Sequence, residues 1–279
     1  MALPRFFIDN PQQQPQEVQA QDVQVDSTLS LAADSEIYHH VANVLRLSTG
    51  KHIEIVQRNL WIAWLCEIEE IHSNELTLKI IQKIEAPAHH FQIDLVLGFS
   101  KGDTNEKIVR QATELGIGRI IPVLFDRSIS RPDKKRATTK VERLRKIATA
   151  AAQQSHRGDL PAIEELQSFD DALKMLDDAT PDLILAAWEE ESQHSISEAI
   201  ASFLAQRQSQ QQQSVPHVVI VIGPEGGITA EEIAKMQDIG AHKVSLGATI
   251  LRVDTAAIAA LAIACDTLRR ETMISKESV

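Results

Sequence analysis

The sequence predicts an α/β protein in two parts, a small barrel-like β domain followed by a domain built on a parallel sheet, and three observations predict it. Residues 1–86 hold short β-like runs separated by turns, with little helical periodicity. From residue 91 onward, apolar strand-length runs alternate with amphipathic helical stretches, the pattern of a parallel sheet. Two of these units, "VVIVIGPEGGITAEEIAKM" (218–236) and "VSLGATILRVDTAAIAALAIA" (244–264), run strand, glycine-bearing loop and helix in series. Two such units in series place both loops at the carboxyl ends of neighbouring parallel strands, where α/β folds bind ligands.

In order, "HIEIVQ", "WIAWLCEIEEI" and "ELTLKII" are the strands of the first part, with one helical stretch near "DSEIYHHVANVLRLS". "APAHH" (86–90) is the linker. "FQIDLVLGFS", "RIIPVLF", "DLILAAW", "HVVIVIG" and "HKVSLG" follow as strands. Between them lie helices in "NEKIVRQATELGI", around residues 140–154, near 195–204, from Thr229, and in "DTAAIAALAIACDTLRR". Thr229 followed by Glu232 is a capping box, each side chain placed to pair a backbone N–H of the first helical turn. Glutamine-rich stretches at 12–21 and 205–215 bury little apolar surface and read as surface loops.

At 279 residues and 43% apolar content the chain has enough apolar side chains for two cores. No run approaches a membrane span and the N-terminus lacks a leader pattern, so a soluble, cytoplasmic protein is expected. Cys66 and Cys265 have no Cys/His ligand spacing, which predicts core thiols and no metal. The net charge of −11 argues against indiscriminate polyanion binding, yet residues 127–146 hold 9 Lys+Arg against 2 Asp+Glu. This basic zone is either a phosphate footprint or a solvated helix face.

The turn Gly223-Pro224-Glu225-Gly226-Gly227 has two readings: a ligand loop where missing Cβ atoms admit close approach, or a tight connection needing glycine's backbone freedom. No GxGxxG follows a strand and no GxxxxGK[ST] occurs, which excludes the common dinucleotide and P-loop classes.

"IGPEGGITAEEI" with "LGATILRVDTA" resembles the paired signature of the RsmE family, SPOUT-superfamily methyltransferases that modify N3 of a uridine in small-subunit (16S) ribosomal RNA. "PRFF" and "HHVANVLRLSTG" resemble that family's PUA-like RNA-binding domain, and "KGDTNEKIVRQATELGIGRIIPVLFDRS" and "AAAQQSHRGDLP" its catalytic blocks. The resemblance spans nearly the whole chain. It implies a PUA-like domain over 1–86 and a trefoil-knotted SPOUT domain over 91–279, with knot and cofactor site at about 183–270. It also implies a homodimer that binds S-adenosylmethionine, acting on 16S rRNA or on the assembled small subunit, with no membrane and no metal. Mapped onto this chain, the cofactor residues are Ala186, Ile222, Gly223, Gly226, Leu246, Gly247, Leu251, Thr255 and Ala256. The catalytic candidates are Arg252 and Glu225, and the RNA contacts are Arg5, His39, Arg46, Arg127, Lys134, Lys135, Arg136 and Arg157. Arg252 is either the cation that stabilises a uracil anion or the partner of Asp254 or Glu225. Glu225 either meets substrate or orders its own turn. His39 and His40 either pack or touch RNA.

The chain departs from the family where Thr249 stands in place of arginine, Asp254 of glutamate and Gln111 of lysine. Around residue 153 it reads Gln153-Gln154-Ser155-His156-Arg157 where the family shows Glu-Gln-Ser-Gly-Arg. Two other readings therefore stay open: a SPOUT enzyme for another RNA position such as a ribose 2′-OH, and a non-catalytic RNA-binding assembly factor.

Overall fold

The computed structural model describes residues 3–8, 25–57, 62–85 and 90–277. The linker reading at 86–90 and the glutamine-rich stretch at 12–21 fall outside these residues, except for His90. The chain divides into two compact units, Met1–Ala88 with Ala152–Leu160, and His89–Ala151 with Pro161–Val279.

In the first unit β1 (Arg5–Ile8), β2 (Thr28–Ala32), β3 (His52–Gln57), β4 (Ile62–Ile71) and β5 (Glu75–Glu85) form one sheet in the order β1-β3-β4-β5-β2. β1 and β3 pair in parallel and the other neighbours pair antiparallel. Alternation sets the core: Ile53, Ile55, Trp64, Cys66, Ile68, Leu76, Leu78 and Ile80 point to one face, where Ile37 and Val41 close over them. These two come from a short helix, α1 (Glu36–Tyr38), that widens into a π-helical turn over His39–Val44. Burial pushes the Cys66 thiol up to about 12, which makes it an inert core residue.

The segment Ala152–Leu160 groups with this unit and not with the residues on either side of it in sequence, which differs from the sequence division at 86–91. The cause is visible at Arg5. Its guanidinium pairs with Glu54 at 2.7 Å and donates to the carbonyls of His156 and Arg157, while Ala152 and Leu160 pack with Phe7, Val56 and Ala63.

In the second unit β6 (Gln92–Gly98), β7 (Arg119–Leu124), β8 (Ala162–Ile163), β9 (Gln167–Ser168), β10 (Leu183–Ala187), β11 (His217–Ile222) and β12 (His242–Val244) pair in parallel. Their order is β12-β10-β11-β6-β7-β8, with β9 also on β7. The helices are α2 (Thr104–Leu115), α3 (Lys134–Gln154), α4 (Phe169–Ala179), α5 (Ile196–Ser209), α6 (Ala230–Asp238) and α7 (Val253–Glu277). The strands are apolar on both faces, as strands covered by helices on each side must be. Leu95, Leu97, Leu185 and Ile220 join one core with α2, α3, α5 and α7, and Val96, Ile184, Ala186, Val219 and Val221 join the other with α4 and α6. α5 extends to Ser209, so the first residues of the second glutamine-rich stretch are helical and not loop.

The first residues of three strands meet at a buried ion cluster. Asp94 accepts from Arg119 at 2.9 Å, from His217 at 2.9 Å and from Gln92 at 3.1 Å. Burial alone would raise its carboxyl, but the His217 and Gln92 hydrogen bonds and the Arg119 charge outweigh it and hold the group below its ordinary value.

Candidate active site

β12, β10 and β11 are neighbours, so the loops that leave their carboxyl ends stand side by side. Together with the first turn of α2 they line a cleft of 760 Å³, inside the range of about 300–1,000 Å³ typical of small-molecule sites. Residues 187–189 and Glu191 come from the loop after β10, 222–228 from the glycine turn, and 245–254 from the loop after β12.

The glycine turn is braced from three sides. The Lys101 N–H donates to Glu225 Oε1 at 2.9 Å, the Arg127 guanidinium to the Gly226 carbonyl at 3.3 Å, and the Trp188 indole to the Ile228 carbonyl at 3.3 Å. The capping box at Thr229 is complete, with the Thr229 hydroxyl accepting from the Glu232 N–H and Glu232 Oε2 from the Thr229 N–H. The other oxygen of Glu232 takes the Asp126 N–H at 2.7 Å. A Cβ on Gly226 would lie 2.7 Å from Arg127 Cβ and 2.8 Å from its carbonyl oxygen. At Gly227, φ is +77° and a Cβ would lie 2.4 Å from a Glu189 oxygen. Gly227 fits the tight-connection reading through its positive φ, and Gly226 is required by close packing on Arg127, a reason neither reading gave. Glu225 is engaged in ordering the turn.

The loop after β12 is the opposite case. The N–H groups of Ala248, Thr249, Ile250 and Leu251 have no protein acceptor among the described residues, and the Ile250 side chain is 89% exposed. Open backbone donors beside a braced turn are what a ligand-binding loop requires. Arg252 lines the cleft, exposed, and pairs with neither Asp254 nor Glu225. The structural alternative for that arginine is therefore not realised.

Ile222, Gly223, Gly226, Leu246, Gly247, Leu251 and Ala256 line the cleft as mapped from sequence. Ala186 and Thr255 do not. Ala186 is buried in the sheet core facing α4 and α6, and its neighbour Ala187 lines the cleft; in a strand a one-residue shift turns a side chain to the opposite face. Thr255 lies in the first turn of α7 and faces solvent.

Two of the arginines read as RNA contacts are also corrected. Arg5 and Arg157 are 9% and 8% exposed. Arg5 is consumed by Glu54 and two carbonyls, and Arg157 forms a bidentate pair with Asp159 at 3.0 and 2.8 Å. A buried arginine in a fork with a carboxylate is part of the fold and is closed to phosphate. His156 beside it has φ +55°, a left-handed conformation that suits the family's glycine, and its ring stands 3.4 Å from Glu54. His39, Arg46, Arg127, Lys134, Lys135 and Arg136 are all exposed. His39 contacts Asn43, and Arg136 contacts Asp133. Lys134, Lys135 and Arg136 form the first turn of α3 and are not a loop between strand and helix.

The resemblance also places the end of "LILAAWEE" (183–190) in the donor site, and the structure brings its Trp188 and Glu189 to the cleft. Glu191, one residue beyond that stretch, was missed, although it closes the acidic run "EEE". Glu191 accepts the N–H groups of Ser192, Gln193 and His194, and the Gln193 bond leads in holding its carboxyl below the ordinary value. Lys243 sits 5.2 Å from the centre of the Trp188 ring.

An RNA methyltransferase domain family matches residues 87–265, and an RNA methyltransferase PUA domain family matches residues 33–81. The ribosomal RNA small subunit methyltransferase E of Bacillus subtilis is 31% identical over 93% of this chain and 94% of its own. The Rickettsia conorii protein of the same name is 31% identical over 85% of this chain and 89% of its own. Among solved structures, a hypothetical protein superposes with a TM-score of 0.79 at 27% identity, covering 95% of this chain and 98% of that one. A Neisseria gonorrhoeae ribosomal RNA small subunit methyltransferase E, solved with S-adenosyl methionine, has a TM-score of 0.72 at 24% identity over 94% and 96% of the two chains, which shows a shared fold. With both domain families in order and near-complete coverage of its relatives, this chain belongs to the RsmE family of RNA methyltransferases.

Proposed function

We propose that this protein transfers a methyl group from S-adenosylmethionine to N3 of a uridine in 16S ribosomal RNA, as a homodimer in the cytoplasm. One observation carries the reading: the cleft at the ends of β10, β11 and β12 combines a braced glycine turn, a loop with open backbone donors, and an unpaired arginine.

The residues present fit the donor. Leu246, Leu251 and Ala187 offer apolar contact, and the 248–251 backbone offers hydrogen-bond donors. Glu189, Glu191, Glu225 and Asp254 outnumber Lys107 and Arg252 in the lining, a negative environment suited to a cation. S-adenosylmethionine supplies an electrophilic methyl group on a positively charged sulfur. The protein's task is the nucleophile. Uracil N3 carries a proton at neutral pH and attacks only as that proton leaves, with charge developing on O2 and O4. Arg252, whose guanidinium stays charged and has no competing partner among the described residues, stabilises that charge.

Exposed cations supply the grip on RNA. Lys134, Lys135 and Arg136 stand in the first turn of α3, where the helix dipole disfavours positive charge, so their presence there is a cost that phosphate binding offsets. A dimer is supported by α7: Ala257, Ala260, Leu261, Ala264 and Leu268 are covered within the unit, whereas Ala262 is exposed and Ile263 is 39% exposed. No helix among the described residues is long and apolar enough to cross a membrane.

The test is mass-spectrometric mapping of 16S rRNA from a strain lacking the protein. Loss of one N3-methyluridine, restored by the wild-type chain, is the expected result. A missing ribose 2′-O-methyl group instead would reassign the position. Unchanged RNA, with no S-adenosylmethionine binding by calorimetry, would leave an RNA-binding assembly factor.

A further inference from the structure

The division of labour at the uracil leaves one role unfilled. An arginine stabilises an anion but does not accept a proton, because its guanidinium is already fully protonated. The lining of the cleft includes no histidine, so at neutral pH its proton acceptors are the four carboxylates of Glu189, Glu191, Glu225 and Asp254.

Three of these are already engaged. Glu191 Oε1 accepts three backbone N–H groups at 2.7–3.3 Å, and its other oxygen lies 3.9 Å from Lys243. Glu225 holds the Lys101 N–H and Asp254 holds the Thr255 N–H, at 2.9 and 3.0 Å. Glu189 makes no hydrogen bond or ion pair among the described residues. Its position is nonetheless defined: the carboxylate lies over Gly227, with one oxygen 2.4 Å from where a Cβ would stand. Any side chain there would displace it.

We propose that Glu189 is the general base that takes the N3 proton of the target uracil. This rests on the methyltransferase reading above. The N3–H bond breaks, its proton passes to a Glu189 oxygen and its electron pair stays on N3. That pair forms the new N–CH₃ bond while the S–CH₃ pair returns to sulfur. Glu189 then releases its proton to water. Arg252 holds the charge on the uracil oxygens during the same step, so a free carboxylate and a free guanidinium serve one base from two loops of one cleft.

The experiment compares full-length wild type with Glu189→Gln and Glu189→Asp on small-subunit rRNA, in single turnover and across pH. The other charged groups facing the site are Lys107, Glu191, Glu225, Arg252 and Asp254, and all remain in place. Glu189→Gln is expected to slow the step about 100-fold or more near pH 7. S-adenosylmethionine affinity by calorimetry should stay within about threefold, and the thermal midpoint should be unchanged. The deficit should shrink as pH rises, because solvent hydroxide then removes the N3 proton. RNA carrying 5-fluorouridine at the target, whose N3 is more acidic, should recover the variant more than the wild type, and Glu189→Asp should retain part of the rate. An unchanged Glu189→Gln rate, or a cofactor affinity that falls in proportion to the rate, overturns the proposal. If wild type itself places no methyl on N3, the functional reading fails and the proposal with it.

Discussion

Arg252 and Gly226 show what single residues contribute. If Arg252 stabilises the uracil anion, Arg252→Ala should lower the single-turnover rate about 100-fold or more while RNA affinity stays nearly constant. A weakened RNA Kd with an unchanged saturated rate would make it a grip residue instead. Gly226→Val forces a side chain onto the Arg127 backbone, so it should cost stability, about 1–3 kcal/mol by denaturant titration, along with cofactor binding. Retained stability with lost binding would restore the ligand-approach reading. The place of Arg252 in the cleft was legible because its loop stands out in sequence. Arg5 and Arg157 were not, because residue type says nothing about burial: each looks like a surface cation until Glu54 and Asp159 are seen beside it. The Ala186 mapping failed by one position, since a strand apolar on both faces carries no alternation to show which alanine faces the cleft.

At the level of elements, strands and helices were readable from periodicity and caps, and Thr229 begins its helix as the capping box requires. What elements do to one another was less visible. The helix expected around residues 140–154 begins earlier, at Lys134, with three cations in a first turn where the dipole disfavours them. Replacing Lys134, Lys135 and Arg136 by glutamine should weaken RNA binding and reduce the slope of log K against log salt by about one unit per lost phosphate contact. The fold itself should be unharmed or slightly firmer, since the unfavourable dipole interaction disappears. An unchanged salt slope would remove these residues from the RNA footprint. The Asp94 cluster joins the starts of β6, β7 and β11. Its carboxyl titrates lower folded than unfolded, so its contribution is complete above the unfolded value of about 3.9 and fades as pH falls through the depressed folded value. Asp94→Asn should cost about 3–5 kcal/mol at pH 7, with the difference narrowing in acid. Equal losses at pH 7 and in strong acid would refute that account.

For the whole molecule, the PUA domain and the RNA methyltransferase domain were both legible in order. Periodicity finds strands but not their neighbours: two units in series read as neighbouring strands, whereas β10 stands between β11 and β12. Sedimentation at micromolar concentration should give a dimer, its interface exceeding about 1,000 Å² and covering the outer face of α7. A stable monomer at that concentration would refute it. The break between the units at 88/89 falls inside the linker stretch 86–90, but the return of Ala152–Leu160 to the first unit leaves no local mark in the sequence.

That return sets a schedule for the chain as the ribosome makes it. When residue 88 has emerged, the first unit still lacks the carbonyls that Arg5 binds and the apolar cover of Phe7, Val56 and Ala63. These arrive about 70 residues later, after roughly 4–14 s at ordinary speeds of synthesis. In that interval the main core around Ile53, Ile55, Leu76 and Leu78 has all its residues, while the patch at Phe7, Val56 and Ala63 stays uncovered. A fragment ending at residue 88 should stay in that condition permanently, the amino-terminal unit waiting for a clasp translated with its successor.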